Sequence, residues 1–280
     1  MRSASRRALA GGGGGAVEVV ALDHAALDLA DADAVVAAVR GARPGLIVNA
    51  AAYTAVDRAE SEPGLADAIN TRAPGILAEE AKRAGALLIH YSTDYVFDGA
   101  AAAPYDELAA PNPVNAYGRS KLGGERAIAA AGAPSLVLRT SWVYGLRGRN
   151  FLTTMRKLAV EREEIKVVAD QIGTPNWTRS LAEATALLVG RGAADLAERA
   201  GLYHLSGGGS TSWFDFARAI FAEADRPSVV PITSAEYPTA ARRPRNSVLA
   251  SGKFADTFGF ALPPWEESLH ACLVELAEQR

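Results

Sequence analysis

The sequence predicts an α/β protein built on a parallel sheet with helices on both of its faces. In the first 145 residues, short runs that are apolar almost throughout alternate with segments of helical periodicity. Strands that are apolar on both sides are typical of parallel sheets buried under crossover helices. The chain has 280 residues, 49% of them hydrophobic, which is enough for a large buried core in one or two domains.

Four strands and three helices are predicted in this first part of the chain. Runs of aliphatic and β-branched residues predict strands at 17–23, 45–51, 86–93 and 135–145. Helical patterns predict helices at 31–41, at 63–85 and over a segment that ends near Gly132. Pro74 lies inside the second helix and must bend or interrupt it, because proline cannot donate a backbone hydrogen bond.

The pattern changes after residue 145, where helices and strands alternate less regularly. We expect helices at about 150–162, 180–190, 212–224 and 265–280, with strands at 165–170 and 201–207. This second part indicates a smaller lobe that is interleaved with the end of the first.

A run of five glycines, Gly11–Gly15, invites interpretation as a phosphate-binding loop, and we reject that interpretation. Such a loop follows a strand and opens a helix, so that the helix N-terminus faces the phosphates. Here the preceding SRRALA predicts a helix and a strand follows the glycines. The run is therefore expected to be a flexible loop from helix to strand.

Composition excludes several classes of function. A net charge of −3 lacks the dominant basic face of a general nucleic-acid-binding protein. No apolar stretch reaches the roughly 18 residues of a membrane span, so no membrane partner is expected. The single cysteine allows no intrachain disulfide and no cysteine-built zinc site, and the four scattered histidines show no metal-ligand spacing. Both observations fit the reducing cytoplasm. The basic start, with Arg6 and Arg7, leaves secretion as a minor alternative.

Tyr117 and Lys121 are the first candidate catalytic residues. They lie four positions apart in NAYGRSKLGGE and therefore share one face of the predicted helix. A lysine ammonium beside a tyrosine hydroxyl favours phenolate and lowers the tyrosine pKa, which makes the hydroxyl a useful acid near neutral pH. By itself the spacing is weak evidence, because a solvated helix face can produce it by chance.

Two other segments strengthen the case, since both follow predicted strands. HYSTDYVFDG places Ser92, Thr93 and Asp94 at the carboxyl end of a buried strand, and parallel sheets bind ligands at those ends. Thr93 can donate a hydrogen bond to a substrate oxygen there. NAAAYTAVDRAE leaves another strand end, and its alternative interpretation is a plain helix entry capped by Thr54.

Taken together, these motifs resemble the extended short-chain dehydrogenase/reductase family, and within it the dTDP-4-dehydrorhamnose reductases. The resemblance runs from about residue 17 to the C-terminus, and it is carried by VNAAAYTAVDRAESEP, STDYVFDG, NPVNAYGRSKLGGE, LRTSWVYG, NFLTTMRKLA, DQIGTP, GLYHLSG and ARRPRNS. It implies a Rossmann-like, doubly wound parallel sheet with a smaller C-terminal substrate lobe. The implied dinucleotide-binding domain comprises 1–145 with about 176–192, and the implied nucleotide-sugar lobe comprises 146–175 with 193–280.

The resemblance implies reduction of the C4 ketone of dTDP-4-dehydro-L-rhamnose, with NADPH or NADH as the hydride donor. Tyr117 would protonate the ketone oxygen, Lys121 would tune Tyr117 and hold the nicotinamide ribose, and Thr93 would orient the carbonyl. The other implied cofactor-binding residues are Asp23, Asp28, Leu29, Ala52, Tyr53, Thr54 and Tyr91. The other implied substrate contacts are Asp94, Trp142, Asn150, Arg242 and Arg243.

Some of these assignments carry a physical argument or an alternative. Arg242 and Arg243 belong to ARRPRNS, where guanidinium groups suit a diphosphate, although a solvated loop is an equal alternative. Trp142 is alternatively a core aromatic residue. Asp23 favours unphosphorylated NADH through the ribose hydroxyl, but the family often accepts NADPH, so both cofactors stay open.

The sequence also departs from the family pattern. The family's first strand and its G-x-x-G-x-x-G turn are absent, which indicates a mis-assigned start or an incomplete gene. We therefore expect an open slot in the sheet, weak cofactor binding and poor stability for this polypeptide. Some members bind Mg²⁺ through glutamates at a dimer contact; no such ligands are assigned here, and a homodimer is left as an open expectation.

Two other functions compete with the reductase. The nucleotide-sugar 4,6-dehydratases share the fold but carry Asp-Glu after the threonine, whereas here Tyr95 follows Asp94 and cannot replace a carboxylic acid in elimination. A non-catalytic regulatory or binding member of the same fold stays open because the glycine loop is absent. The presence of Thr93, Tyr117 and Lys121 favours an enzyme.

Overall fold

The computed structural model describes residues 5–10, 16–222 and 227–279. The strands are β1 (Ser5–Ala10), β2 (Ala16–Ala21), β3 (Leu46–Asn49), β4 (Leu87–Thr93), β5 (Ser135–Thr140), β6 (Val143–Tyr144), β7 (Glu164–Val168), β8 (Ile172–Gly173), β9 (Asn176–Trp177), β10 (Gly201–His204), β11 (Thr211–Ser212) and β12 (Ser228–Ile232). The helices are α1 (Ala32–Ala42), α2 (Val56–Ala59), α3 (Pro63–Asp67), α4 (Ala73–Ala84), α5 (Ala116–Ala131), α6 (Phe151–Glu161), α7 (Thr178–Gly190), α8 (Ala193–Glu198), α9 (Trp213–Ile220), α10 (Gly252–Phe258) and α11 (Trp265–Glu278).

The chain divides into two compact units. Unit 1 comprises Met1–Ser92, Ala116–Leu138 and Thr185–Leu202, and unit 2 comprises Thr93–Asn115, Arg139–Ala184 and Tyr203–Arg280. These bounds differ from the predicted domains: 93–115 and 176–184 fall in unit 2, and 193–202 falls in unit 1. Unit 2 also takes a larger share of the chain than unit 1, and the division into a dinucleotide-binding domain and a smaller substrate lobe stays a prediction. Which unit binds which ligand stays a prediction.

Backbone pairing explains why the segment after β4 belongs to unit 2. Tyr105 forms a parallel bridge with Leu249. The Tyr105 amide donates to the Val248 carbonyl at 2.8 Å, and the Ala250 amide donates to the Tyr105 carbonyl at 2.7 Å. These long-range hydrogen bonds connect 93–115 to the C-terminal part of the chain. No sequence pattern within 93–115 predicts them.

A four-stranded sheet with the order β10-β5-β4-β3 confirms the predicted α/β fold. β3 and β4 are parallel, with a register that runs from Leu46 opposite Leu87 to Asn49 opposite His90. The last residues of β4, β5 and β10 are assigned to unit 2, and the remainder of the sheet lies in unit 1. One face carries an apolar core from α1, α4 and α5 that includes Val35, Leu77, Leu88, Ile128 and Val137.

The segment before α1 differs from our prediction. The prediction for SRRALA is a helix, but the segment is strand β1, which pairs with β2 in an antiparallel ribbon from Ser5 opposite Ala21 to Ala10 opposite Ala16. A helix of six residues has little stability of its own, whereas a β-branched strand offers a row of unpaired backbone groups. Gly11–Gly15, which we expect to be a loop, lies outside the described residues.

β3 stands at the end of the described sheet, because β2 belongs to the separate ribbon. Val48 of β3 is 42% exposed. In a doubly wound sheet, a further strand would cover this position. Among the described residues, β3 is therefore an edge strand of the sheet, and the open slot in the sheet stays a prediction.

The predicted helix 63–85 is continuous in space but consists of three parts. α3 leads into a π-helical turn, Ala68–Arg72, and then into α4. In this turn the Ala73 amide donates to the Ala68 carbonyl, one residue farther back than in an α-helix. The wider turn accommodates Pro74, which has no amide to donate. The proline interrupts the α-helical hydrogen bonding, as predicted, without ending the helix.

Unit 2 has its own core around α6, α9 and α11, which includes Leu152, Ile165, Phe216 and Leu269. β7 and β12 form a parallel pair from Glu164 opposite Ser228 to Val168 opposite Ile232. The sequence predicts β7, but it carries no signal for its partner, which lies about 60 residues away. Within the described part of the chain, no helix combines the length and apolar character needed to cross a bilayer.

Close packing of α5 on the π turn generates a stability prediction. A Cβ at Gly124 would lie 2.2 Å from the Asn70 carbonyl oxygen, so a side chain there forces the two elements apart. We expect Gly124→Ala to lower the free energy of unfolding by about 1–3 kcal/mol, the usual range for overpacking. Urea unfolding followed by circular dichroism measures the change.

Gly41→Ala is the matched control, since Gly41 lies in α1 and a Cβ added there would have no described atom within 4 Å. It is expected to be neutral or to raise the free energy of unfolding by about 0.4–1 kcal/mol. Equal effects of the two substitutions would contradict the close-packing interpretation.

Candidate active site

In unit 1, Lys121 is one of the most deeply buried residues of the candidate site. Its side chain lies on α5 and the residue is 1% exposed. Nζ donates a hydrogen bond to the Tyr91 carbonyl at 2.6 Å and lies 3.2 Å from Nε2 of His90. Burial lowers the pKa of Lys121 to about 8, although the nearby Glu125 carboxylate acts in the opposite direction. The amine can therefore change its protonation state near physiological pH.

His90 connects Lys121 to β3. Its Nδ1 lies 3.1 Å from Nδ2 of Asn49, which stands opposite it in the sheet register. Burial, followed by the positive charge of Lys121, holds the pKa of His90 well below its usual value. His90 is therefore a neutral imidazole. Neither Asn49 nor His90 is among the predicted site residues, although both stand at the carboxyl ends of strands in the motifs that we singled out.

The alternation of side chains along β4 sends its residues to opposite faces of the sheet. Ser92, on the same side as His90, donates to Glu125 of α5 at 2.5 Å. Tyr91 points to the other side, where its hydroxyl lies 2.6 Å from the Thr185 hydroxyl of α7. α5 and α7 thus lie on opposite faces of the sheet, as a doubly wound fold requires. The role of Tyr91 at the cofactor stays a prediction.

Asn70, on the π turn, links the loop after β3 to α5. Its Oδ1 accepts from the Tyr53 amide at 2.8 Å, and its Nδ2 donates to the Tyr53 carbonyl and to the Ser120 hydroxyl, each at 3.0 Å. The Ser120 hydroxyl in turn donates to the Tyr117 carbonyl at 2.8 Å. Tyr53 and Tyr117 also pack against one small apolar cluster. The structure therefore brings Tyr53, Tyr117 and Lys121 together in unit 1.

The Tyr53 side chain has a partner of its own. Its hydroxyl donates to Glu62 at 2.6 Å, and this bond raises the pKa of Tyr53. Thr54 does not cap the following helix, because α2 begins after Ala55 and has no side-chain cap. The alternative in which this segment is a plain helix entry capped by Thr54 is therefore wrong. Ala52 lies half-buried in the same loop.

The predicted adenine-side residues lie in the turns after β2. Asp23 is exposed, and its carboxylate accepts from the Ala26 amide at 2.9 Å. Asp28 is also exposed and accepts from the Ala30 amide at 2.9 Å. Leu29 packs against the unit 1 core. All three follow a strand in unit 1, but nothing in their contacts tests a role in binding.

In unit 2, Thr93 and Asp94 form a buried pair. The Thr93 hydroxyl donates to Asp94 Oδ1 at 3.0 Å and accepts from the Tyr95 amide at 3.1 Å. Asp94 is 2% exposed, and its Oδ2 lacks a hydrogen-bond partner among the described residues. Burial raises the pKa of Asp94 to about 7, against the opposing influence of the Ser247 and Thr93 side chains. Asp94 therefore titrates close to neutrality and can donate a proton when it is protonated.

Trp142 divides the predicted strand 135–145 into β5 and β6. Its φ is 44°, in the left-handed region that non-glycine residues rarely adopt. The indole is buried and stacks on Trp213, with ring centroids 3.6 Å apart and planes 4° apart. A Cβ at Gly173 would come within 2.3 Å of the indole. Trp142 is thus a packed aromatic residue of unit 2, and its contact with a sugar stays a prediction.

Asn150 and the arginines take up local structural roles in unit 2. Asn150 caps α6 by accepting from the Thr153 amide at 3.1 Å, and its Nδ2 donates to the Gly145 carbonyl at 2.8 Å. The Arg242 carbonyl accepts from Asn115 at 2.8 Å, and the Arg245 carbonyl accepts from the Ile172 amide at 2.7 Å. Hydrogen bonds therefore fix the backbone of the arginine segment at several points. Arg242 is exposed, and Arg243 is half-buried.

Within the described part of the chain, no group of three or more histidine, cysteine or acidic residues could hold a metal ion. The chemistry available is that of a tyrosine hydroxyl, a buried amine of lowered pKa and a carboxyl of raised pKa. These are groups for proton transfer and for orienting polar ligands.

Comparison with known proteins supports this interpretation. The family model described as RmlD substrate binding domain matches residues 8–278. The dTDP-4-dehydrorhamnose reductase of Burkholderia thailandensis is 46% identical over 274 residues, covering 94% of this chain and 92% of that protein. The enzyme of the same name from Shigella flexneri is 45% identical over 270 residues, covering 93% of this chain and 89% of that protein.

Solved structures agree with the sequence comparison. The dTDP-4-dehydrorhamnose reductase of Bacillus anthracis, solved in complex with NADP, superposes with a TM-score of 0.84 at 39% identity, covering 91% of this chain and 89% of the other. An ortholog from Clostridium acetobutylicum superposes with a TM-score of 0.85 at 38% identity, with the same coverage. The predicted fold class is thereby confirmed.

The buried Asp94 carboxyl generates a prediction about stability and pH. Its pKa is about 7 in the folded chain and near 3.8 when unfolded, so the folded state holds the proton more tightly between these values. Stability is therefore lost as pH rises through this window. Asp94→Asn removes the titration, and its stability relative to the parent should increase by roughly 2–3 kcal/mol from pH 5 to pH 8.

Urea unfolding of both chains at the two pH values measures this difference. The exposed Asp33→Asn variant is the control for loss of a carboxylate as such. A difference between Asp94→Asn and the parent that stays the same at pH 5 and pH 8 would show that Asp94 is ionised throughout.

Proposed function

Since this chain belongs to the RmlD substrate binding domain family, we propose that it reduces the C4 ketone of dTDP-4-dehydro-L-rhamnose with NADPH or NADH. The observation that carries the proposal is the arrangement in unit 1, where α5 holds Tyr117 and a buried amine of lowered pKa beside the ends of β3 and β4. Relatives more than 40% identical over about nine-tenths of the chain carry the name of this reductase.

The residues of unit 1 fit a nicotinamide dinucleotide in part. Lys121 and the Tyr53 loop lie at the carboxyl ends of parallel strands, where such cofactors bind. Asp23 follows β2, where an acidic residue contacts the adenosine ribose. A pyrophosphate site would need a strand, a glycine turn and a helix before β2. Among residues 5–10 and 16–222, no such combination is present. The described residues therefore include candidates for the nicotinamide ribose (Lys121) and the adenosine ribose (Asp23). They include no candidate for the pyrophosphate.

A reduced nicotinamide, when bound, would supply hydride to C4 of the sugar. Tyr117 donates its hydroxyl proton to the developing alkoxide, which avoids a free anion. Lys121, as ammonium, favours the tyrosinate that remains and holds the nicotinamide ribose. Tyr53, Thr54, Ala52, Tyr91, Asp28 and Leu29 are proposed to line the cofactor.

The proposed substrate contacts lie in unit 2. Thr93 orients the ketone, for which its hydroxyl must turn away from Asp94 Oδ1. Asp94, with a buried oxygen that has no partner among the described residues and a pKa of about 7, is suited to bond a sugar hydroxyl as donor or acceptor. Trp142 and Asn150 are proposed to flank the sugar, and Arg242 and Arg243 to bind the diphosphate. A cytoplasmic location and a homodimer stay predictions.

Tyr117→Phe tests the proposed acid. Loss of the proton donor should lower kcat by about 10²–10⁴-fold while the chain stays folded. Oxidation of NADPH with dTDP-4-dehydro-L-rhamnose, followed by the loss of NADPH absorbance, measures the effect, and the exposed Tyr237→Phe is the control. Turnover that survives Tyr117→Phe would refute the mechanism. Cofactor or nucleotide-sugar binding without turnover by the parent chain would favour the non-catalytic member of the fold.

Arg242→Ala tests the proposed diphosphate contact. Loss of a charge-assisted hydrogen bond removes about 1.5–3 kcal/mol, so KM for the nucleotide sugar should rise at least about tenfold with kcat little changed. Arg245→Ala, in the same fixed segment, is the matched control and should leave KM near the parent value. A similar KM for all three chains would exclude Arg242 from the substrate site.

A further inference from the structure

The Lys121 amine stands at the end of a chain of hydrogen bonds that begins at a backbone amide. The Ala51 amide donates to Asn49 Oδ1 at 3.2 Å, and Asn49 Nδ2 lies 3.1 Å from His90 Nδ1. His90 Nε2 then lies 3.2 Å from Lys121 Nζ. Asn49, His90 and Lys121 are all buried. The mechanism above gives Asn49 and His90 no task.

The amide of Asn49 decides which nitrogen of His90 carries the proton. Because its oxygen accepts from the Ala51 amide, the Asn49 side chain presents its nitrogen, a donor, to His90. Nδ1 of His90 must therefore accept, and a neutral imidazole then carries its single proton on Nε2. Reversing the Asn49 amide would place its nitrogen against the Ala51 amide, with two donors facing each other.

The proton on Nε2 of His90 faces the Lys121 amine. An ammonium has only donors, whereas a neutral amine offers a lone pair to Nε2–H and still donates to the Tyr91 carbonyl at 2.6 Å. We propose that Asn49 and His90 form a positioning pair that favours the neutral amine of Lys121. This deepens the proposed function, because the pair sets the pH range in which Lys121 acts as an ammonium beside Tyr117.

Other groups around Lys121 act in both directions. Glu125, one turn along α5, favours the ammonium, but its carboxylate also accepts from Ser92 of β4. From β4, Tyr91 presents its carbonyl to the amine and its hydroxyl to Thr185. Tyr117 lies one turn back on α5. Burial lowers the pKa of Lys121 and outweighs the Glu125 carboxylate, which acts in the opposite direction.

Two substitutions reverse the proposed donor pattern. Asn49→Asp keeps an oxygen for the Ala51 amide and places a second oxygen at Nδ1, which then carries the proton and leaves Nε2 to accept from an ammonium. His90→Gln offers the amine an amide oxygen without adding charge. Both variants should raise the titration midpoint of Lys121 by about one pH unit or more, a tenfold change in the ammonium-to-amine ratio.

Carbon-13 NMR of chains labelled at lysine Cε follows this titration directly. The chain has five lysines, and the Lys121 signal is identified by its loss in Lys121→Arg. Unchanged midpoints in Asn49→Asp and His90→Gln would overturn the proposal, and so would a midpoint in the parent chain at the ordinary lysine value of about 10.4. A shift in Asn49→Asp alone would also overturn it, because the added charge would then explain the effect.

The titration needs neither substrate nor turnover, so it separates this inference from the proposed function. If the midpoints shift in a chain that does not reduce the sugar, the positioning pair stands and the reductase proposal fails. If the chain is an active reductase with unshifted midpoints, the reverse holds. In an active chain, the loss of kcat at high pH should move to higher pH in both variants, because the ammonium persists longer.

Discussion

The close contact between α5 and the π turn is the constraint on which the unit 1 site depends. Gly124 lets the helix approach the Asn70 carbonyl, and the neighbouring Gly123 makes room for Thr71. At that separation, Asn70 reaches both the Tyr53 backbone and Ser120. The same contact fixes the position of α5 relative to the sheet, so that the Lys121 amine reaches the Tyr91 carbonyl of β4. The glycines of the Tyr-Lys motif are therefore as much a part of the site as its polar side chains.

Burial gives the site its chemistry at a cost in stability. Lys121 and Asp94 each lose water in the folded chain, and each has its pKa moved toward neutrality. Lys121 donates to a backbone carbonyl and Asp94 accepts from a neutral hydroxyl. Groups whose pKa values lie near neutrality can gain or lose a proton at physiological pH, which suits them to acid–base work.

The sequence predicts the fold well where the signal is local. Apolar runs mark β3, β4 and β10, and periodicity with terminal signals marks α1, α5 and α11. Prediction fails where distant residues decide: SRRALA is a strand because β2 offers it a partner, and β12 forms opposite β7 with no signal of its own. In the site, the spacing of Tyr117 and Lys121, taken together with the motifs at the strand ends, is enough to single them out as candidates. Asn49 and His90 escape prediction because their meeting depends on the register of β3 against β4.

The left-handed backbone at Trp142 shows how one residue redirects the chain. The segment 135–145 has the composition of one long strand, yet at Trp142 it turns out of the sheet, and β6 pairs instead with β9. That conformation costs about 1–2 kcal/mol for a residue with a side chain. Stacking on Trp213 and the space left by Gly173 hold it in place. The turn at Trp142 is thus maintained by its aromatic neighbours. Loss of the Trp142–Trp213 stack would let the segment straighten into a continuous strand.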